Sequence, residues 1–147
     1  MIFIDSGAFL ARHVECDQHH VQARLGWDHL ADSNDRCFTS NFVLDEFFTL
    51  LGRRTTYAFA AAQARILLTS RVLEILRPTP EDEIRALERF EKFADQKVSF
   101  TDCVSFVLMR REGLQRAFTF DRHFLHAGFK TWPDYGYVHE PAAVWDV

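Results

Sequence analysis

The sequence predicts an α/β domain of three layers, with helices on both faces of a mainly parallel central sheet of four to five strands. Short apolar runs alternate along the chain with longer stretches of helical period. That alternation is how strand–helix–strand units, and hence parallel sheets, are written. The 147 residues, 48% of them hydrophobic and broken by no linker, repeat or low-complexity stretch, suit one folded domain with a sizeable core.

The elements follow in order. Ile2 to Asp5 reads as a strand ending in an acid, and Ser6-Gly7-Ala8 turns into a short helix through Leu10 and His13. Asp17 is placed to cap a helix whose face is marked by Val21, Leu25 and Leu30. Cys37-Phe38-Thr39 is a second strand. Ser40 or Asn41 caps the helix of Val43, Leu44, Phe47, Phe48 and Leu51, which Gly52-Arg53-Arg54 ends. Thr55 or Thr56 opens an alanine-rich helix to about Ser70, and Val72 to Leu76 is a third strand. Pro78 and Pro80 punctuate, and Thr79 caps a helix from Glu81 to Asp95 with a stripe at Ile84, Leu87, Phe90 and Phe93. Ser99 caps a helix that carries Asp102 in its first turn and runs to Gly113. Arg116 to Phe120 is a fourth strand, followed by Asp121. Phe124 and Leu125 lie in a short helix closed by Gly128, and Phe129 to Trp132 is a fifth strand. Residues 1–132 make the domain; 133–147, with Tyr135, Tyr137 and Trp145, form a tail packed on it or at an interface.

Composition narrows the setting. Nearly all of the fifteen phenylalanines should be buried. No apolar run approaches bilayer length, and Met1-Ile2-Phe3-Ile4-Asp5 enters a strand directly, unlike a secretory leader. Cys16, Cys37 and Cys103 form no CxxC pair, which points to small buried hydrophobes in a reducing cytoplasm. The net charge of -4 does not advertise nucleic-acid binding. The basic side is nevertheless almost all arginine, the residue suited to bidentate phosphate contact.

Four acids organise the reading. Asp5 and Asp121 follow strands, at the sheet edge where ligands bind in open α/β folds. Asp102 sits at a helix start, where the helix dipole favours negative charge. Glu46 lies in the apolar run Phe42-Val43-Leu44-Asp45-Glu46-Phe47-Phe48, where burying a carboxylate is costly unless it is paired or binds metal. Singly, each has an ordinary reading as a cap or a surface charge. Jointly they recur at edges that converge on one end of the sheet. Carboxylates gathered there need a shared counter-charge, and oxygen-only ligation suits Mg2+ or Mn2+, ions that serve phosphodiester hydrolysis.

The residues then resemble a known family. Phe3-Ile4-Asp5-Ser6-Gly7-Ala8-Phe9-Leu10-Ala11 is similar to the opening motif of PIN domains. Thr39-Ser40-Asn41-Phe42-Val43-Leu44-Asp45-Glu46-Phe47 resembles their second motif, and Ser99-Phe100-Thr101-Asp102-Cys103-Val104-Ser105-Phe106 the third and most specific. Ala117-Phe118-Thr119-Phe120-Asp121-Arg122-His123-Phe124, followed by Gly128-Phe129, resembles the fourth. The resemblance spans residues 2 to about 132 and implies a PIN-like α/β/α fold. It also implies endonucleolytic RNA cleavage with Mg2+ or Mn2+ held by Asp5, Glu46, Asp102 and Asp121. Ser6 and Thr119 stand beside two of these acids as supporting residues. The chain looks most like VapC-type toxins, which implies a homodimer silenced by an antitoxin protein. Arg12, Arg53, Arg54, Arg110, Arg111 and Arg122 are candidates to meet the RNA backbone.

Other readings compete. A housekeeping RNA-processing nuclease and a non-enzymatic PIN-like binding module share the same pattern. A haloacid-dehalogenase phosphatase would need a second Asp two residues after Asp5, where Gly7 stands. A phospho-receiver would need an acidic pair near the first strand. Zinc is disfavoured, because neither His19-His20 nor His123 and His126 has cysteines at finger spacing. Trp27, Tyr57, Phe59 and the alanine-rich helix are candidates for a subunit interface.

Overall fold

The first strand, β1 (Ile2–Ile4), is fully buried and lies at the centre of the sheet. A computed structural model describes residues 1–133; the expected tail beyond Pro133, with its three aromatics, lies outside the described residues. After β1 come helices α1 (Ser6–His13) and α2 (His20–Asp32), strand β2 (Cys37–Ser40), and helices α3 (Asn41–Arg54) and α4 (Tyr57–Leu68). Strand β3 (Leu73–Leu76), helix α5 (Pro80–Lys92), a short 3-10 turn and helix α6 (Phe100–Glu112) follow. Strand β4 (Arg116–Phe118), helix α7 (Arg122–His126) and strand β5 (Lys130–Trp132) complete the described chain. The strand order is β3-β2-β1-β4-β5 and every pairing is parallel. The strands thus run outward from β1 to β3, and the chain then returns to place β4 on the other side of β1. The carboxyl ends of β1 and β4 flank that reversal, where a crevice forms in open sheets.

Local chemistry explains the helix starts. Ser40 accepts from the Val43 amide, Thr56 from Phe59 and Ser99 from Asp102, each satisfying an amide that the helix leaves unpaired. Thr79 and Asp82 form a reciprocal capping box behind Pro80. The core is aliphatic and aromatic, centred on Phe3, Phe47, Phe106, Phe118 and Phe124.

Several expectations need correction. Asp17 is not the cap of α2: His19 holds that position, and the Asp17 carboxylate accepts the His19 amide one turn earlier. Val21 and Leu25 are exposed, because α2 packs through Ala23, Gly26 and Leu30 instead. Gly26 is required there: a Cβ would lie 2.7 Å from the Phe118 ring. Ile84, Leu87 and Phe90 are likewise exposed, since α5 packs through Asp82 and Ala86, and Asp82 meets the Arg111 guanidinium of α6. Phe59 and Phe90 stand outside the core, and Cys16 is exposed rather than buried. Strand β4 stops at Phe118, two residues before the expected end, where its pairing with β1 and β5 ends and the Thr119 side chain bonds to Asp5 and to the Asp121 amide. No helix among the described residues is long and apolar enough to cross a membrane.

Candidate active site

Asp5 leaves β1 at its carboxyl end and its amide donates to the Phe118 carbonyl of β4 (3.0 Å), which fixes it at the crevice. Its side chain is 4% exposed. The Thr119 hydroxyl donates to Asp5 Oδ2 (2.8 Å) and accepts from the Asp121 amide (3.0 Å), so one buried group ties the two acids together. Asp121 in turn caps α7, its Oδ1 accepting from the His123 amide at 2.9 Å. Asp102 arrives from the first turn of α6, held there by the Ser99 cap. Glu46 projects from α3, half-buried, with Ser6 beside it on the wall of the same cleft. All four acids, with Ser6 and His123, line one cleft of about 740 Å³.

The electrostatics of this cleft are strained. Burial pushes the Asp5 carboxyl well above the usual carboxylate range, and the charges of Asp102 and Asp121 push the same way against the Thr119 bond. Burial also raises Glu46, helped by Asp102 and Asp121 and opposed by the Ser6 hydroxyl. Asp102 is raised by burial, with His123 pulling back. His123 is raised chiefly by its contact with Asp102, despite partial burial. Its Nδ1 lies 3.1 Å from Asp121 Oδ1 and 3.6 Å from Asp102 Oδ2. Carboxylates pushed up together in this way are a site short of positive charge.

The residues fit a divalent cation on one decisive observation: Asp5 Oδ1 is buried and has no hydrogen-bond partner. A buried carboxylate oxygen without a donor is costly, and a cation between the acids is the partner its chemistry asks for. Oxygen donors from Asp5, Glu46, Asp102 and Asp121 match a hard ion.

Among the arginines, Arg122 lines the cleft beside Lys97. The others do not. Arg12 lies over the Trp27 ring, Arg110 over Phe129 with a bond to the Ala127 carbonyl, and Arg111 pairs with Asp82. Arg53 and Arg54 are exposed at the end of α3. His123 is the residue that sequence reasoning left outside the site. The signal was present in Asp121-Arg122-His123, since a capping acid brings the residue two places on back over itself.

Comparison with known proteins identifies the family and the fold. The sequence profile of the PIN domain matches residues 2–130. The chain is 37% identical over 129 residues to a curated protein of Mycobacterium tuberculosis, the 23S rRNA-specific endonuclease VapC20, covering 88% of this chain and 95% of the relative. The crystal structure of Mycobacterium tuberculosis VapC20, described as a sarcin–ricin-loop-cleaving toxin, superposes with a TM-score of 0.79 at 34% identity, covering 88% of this chain and 96% of that one. A chain from the VapBC2 structure of Rickettsia felis, bound to promoter DNA, has a TM-score of 0.61 at 16% identity over 89% and 97% of the two chains, and shares the fold alone. With the PIN profile matching residues 2–130 and 37% identity to a VapC endonuclease over 88% of its length, the chain belongs to the PIN-domain family, where it resembles the VapC toxins.

Proposed function

We propose that this chain is a metal-dependent endoribonuclease, the toxin of a toxin–antitoxin pair, acting on a ribosomal RNA loop. The unpartnered Asp5 Oδ1 beside Asp102 and Asp121 carries the reading, because it calls for a divalent cation in a cleft open to a large anion. The relative at 37% identity, named for cleavage of 23S rRNA, supports the choice of substrate.

Asp5, Glu46, Asp102 and Asp121 are the proposed ligands of Mg2+ or Mn2+. When bound, such an ion supplies Lewis-acid stabilisation of the charge that builds on a phosphate under attack. The chain's own residues do the positioning. Thr119 fixes Asp5 relative to Asp121, and Ser6 stands beside Glu46 on the cleft wall. Arg122 and Lys97 on the cleft wall meet the RNA backbone. An unpaired loop suits the site, since proteins read RNA sequence mainly where bases are splayed out. An antitoxin would act by covering the cleft, and an RNA substrate with three free cysteines fits a cytoplasmic setting. The homodimer would use α4, which exposes Tyr57, Ile66 and Leu68; a sedimentation run showing only monomer at micromolar concentration removes that part.

The deciding experiment incubates purified, antitoxin-free protein with ribosomes and with total RNA, in Mg2+, Mn2+ or EDTA. Asp102→Asn runs in parallel. The expected result is a discrete cut in the large-subunit rRNA that needs the metal and disappears in the variant. Intact RNA under every condition, from folded protein, overturns the reading in favour of a PIN-like binding module.

A further inference from the structure

We propose that His123 is itself a metal ligand, giving a ring nitrogen to a site otherwise built of oxygens, and that this nitrogen selects Mn2+ over Mg2+. The inference rests on the reading of the acid cluster as a metal centre and specifies that centre further.

The argument begins with α7. Asp121 caps the helix by accepting the His123 amide, which turns the imidazole back toward the carboxylate of the same cap. The ring nitrogen then lies 3.1 Å from one oxygen of Asp121 and 3.6 Å from one oxygen of Asp102. One ligand atom from each of Asp102, Asp121 and His123 falls within 4.8 Å of the other two. Donors about 2.1 Å from an octahedral ion stand about 3.0 Å apart at adjacent corners and about 4.2 Å apart at opposite ones. The two His123 separations, 3.1 and 3.6 Å, fall inside that range. The buried, unpartnered Asp5 Oδ1 on the wall of the same cleft is an independent sign that a cation belongs there.

The choice of metal follows from donor chemistry. Mg2+ demands near-ideal octahedral oxygen ligation and dehydrates reluctantly. Imidazole nitrogen is a softer donor, better matched to transition ions. Mn2+ accepts the same carboxylates in the same geometry and also takes the nitrogen. His123 thus changes the site from an all-oxygen cage to a mixed one.

The test needs no RNA. Metal-free protein is titrated with Mn2+, and pulsed electron paramagnetic resonance reads nitrogen coupling to the bound ion. Competition with Mg2+ is followed by calorimetry. The expected result is a histidine nitrogen coupling in the wild type that is absent from His123→Ala, with Mn2+ affinity falling roughly 10- to 100-fold. His123→Asp, which restores an oxygen donor, is expected to keep Mn2+ without nitrogen coupling and to narrow the preference over Mg2+. Mn2+ bound in an Asp102-dependent way but without nitrogen coupling overturns the role of His123 and leaves the acid cluster standing. Coupling that survives in His123→Ala, as from the nearby His19, does the same. If the wild type binds no Mn2+, both this inference and the metal centre fail.

Discussion

Thr119→Val is the sharpest probe of how the site is held. The side chain is 1% exposed, and its hydroxyl makes two bonds, donating to Asp5 Oδ2 at 2.8 Å and accepting from the Asp121 amide at 3.0 Å. Valine keeps the shape and removes both. A bond to a carboxylate contributes about 1.5–3 kcal/mol and a neutral one about 1 kcal/mol. Burial holds Asp5 toward its protonated form, so the lower end of the first range applies to metal-free protein. The added methyl returns about 0.8 kcal/mol of apolar burial. The net expectation is a loss of about 2 kcal/mol, or about 4–8 °C in Tm for a domain of this size. Urea denaturation in EDTA measures it directly. Thr119→Ser, which keeps the hydroxyl, should recover most of the loss. A double-mutant cycle with Asp5→Asn should show a coupling energy of about 1 kcal/mol. A valine variant within about 0.5 kcal/mol of wild type would refute the reasoning, because the hydroxyl would then not be what joins the two acids.

Asp5→Asn should show the strain of the site through pH. Asp5, Glu46 and Asp102 have folded values above their ordinary ones, so their contribution is fully present below the ordinary carboxylate range and is lost as pH rises through the raised values. Metal-free wild type should therefore lose stability relative to Asp5→Asn between mildly acidic and neutral pH in thermal melts; a gap that does not change with pH contradicts this. Gly26→Ala should cost about 1–3 kcal/mol by chemical denaturation, although alanine is the better helix former, because its Cβ would meet the Phe118 ring at 2.7 Å. Arg122→Ala should weaken binding of an RNA hairpin in EDTA and lower the salt slope by about 0.7, one phosphate contact; an unchanged slope places Arg122 off the RNA path.

The alternation of strands and helices was legible because buried parallel strands are plain apolar runs and most of the helices announce their cap, α1 and α2 being the exceptions. The four acids were legible because they punctuate those runs. What the pattern concealed is instructive. Val21 and Leu25 have helical spacing, yet α2 docks through Ala23 and Gly26, whose value is smallness, and smallness gives no hydrophobic signal. In α5 the stripe of Ile84, Leu87 and Phe90 outweighed Asp82 on paper. Asp82 is nevertheless the buried residue, because the Thr79 cap and Arg111 satisfy it. Arginines at 110 and 111 looked free for phosphate, and both are taken by contacts within the fold. For His123 the local half was legible, in the Asp121-Arg122-His123 cap, whereas its contact with Asp102 depends on how α7 sits against α6, a tertiary fact that spacing does not encode.

The hydroxyl that joins Asp5 to Asp121 spans 114 residues of chain. Asp5 leaves the ribosome 114 residues ahead of Thr119, and its partner strand β4 is among the last of the described elements. Loop closure over that length delays the pairing of β1 with β4 beyond every local helix. A nascent chain thus carries its first acid long before it owns a site. In an endoribonuclease, that order leaves the cleft unassembled until β4 has emerged.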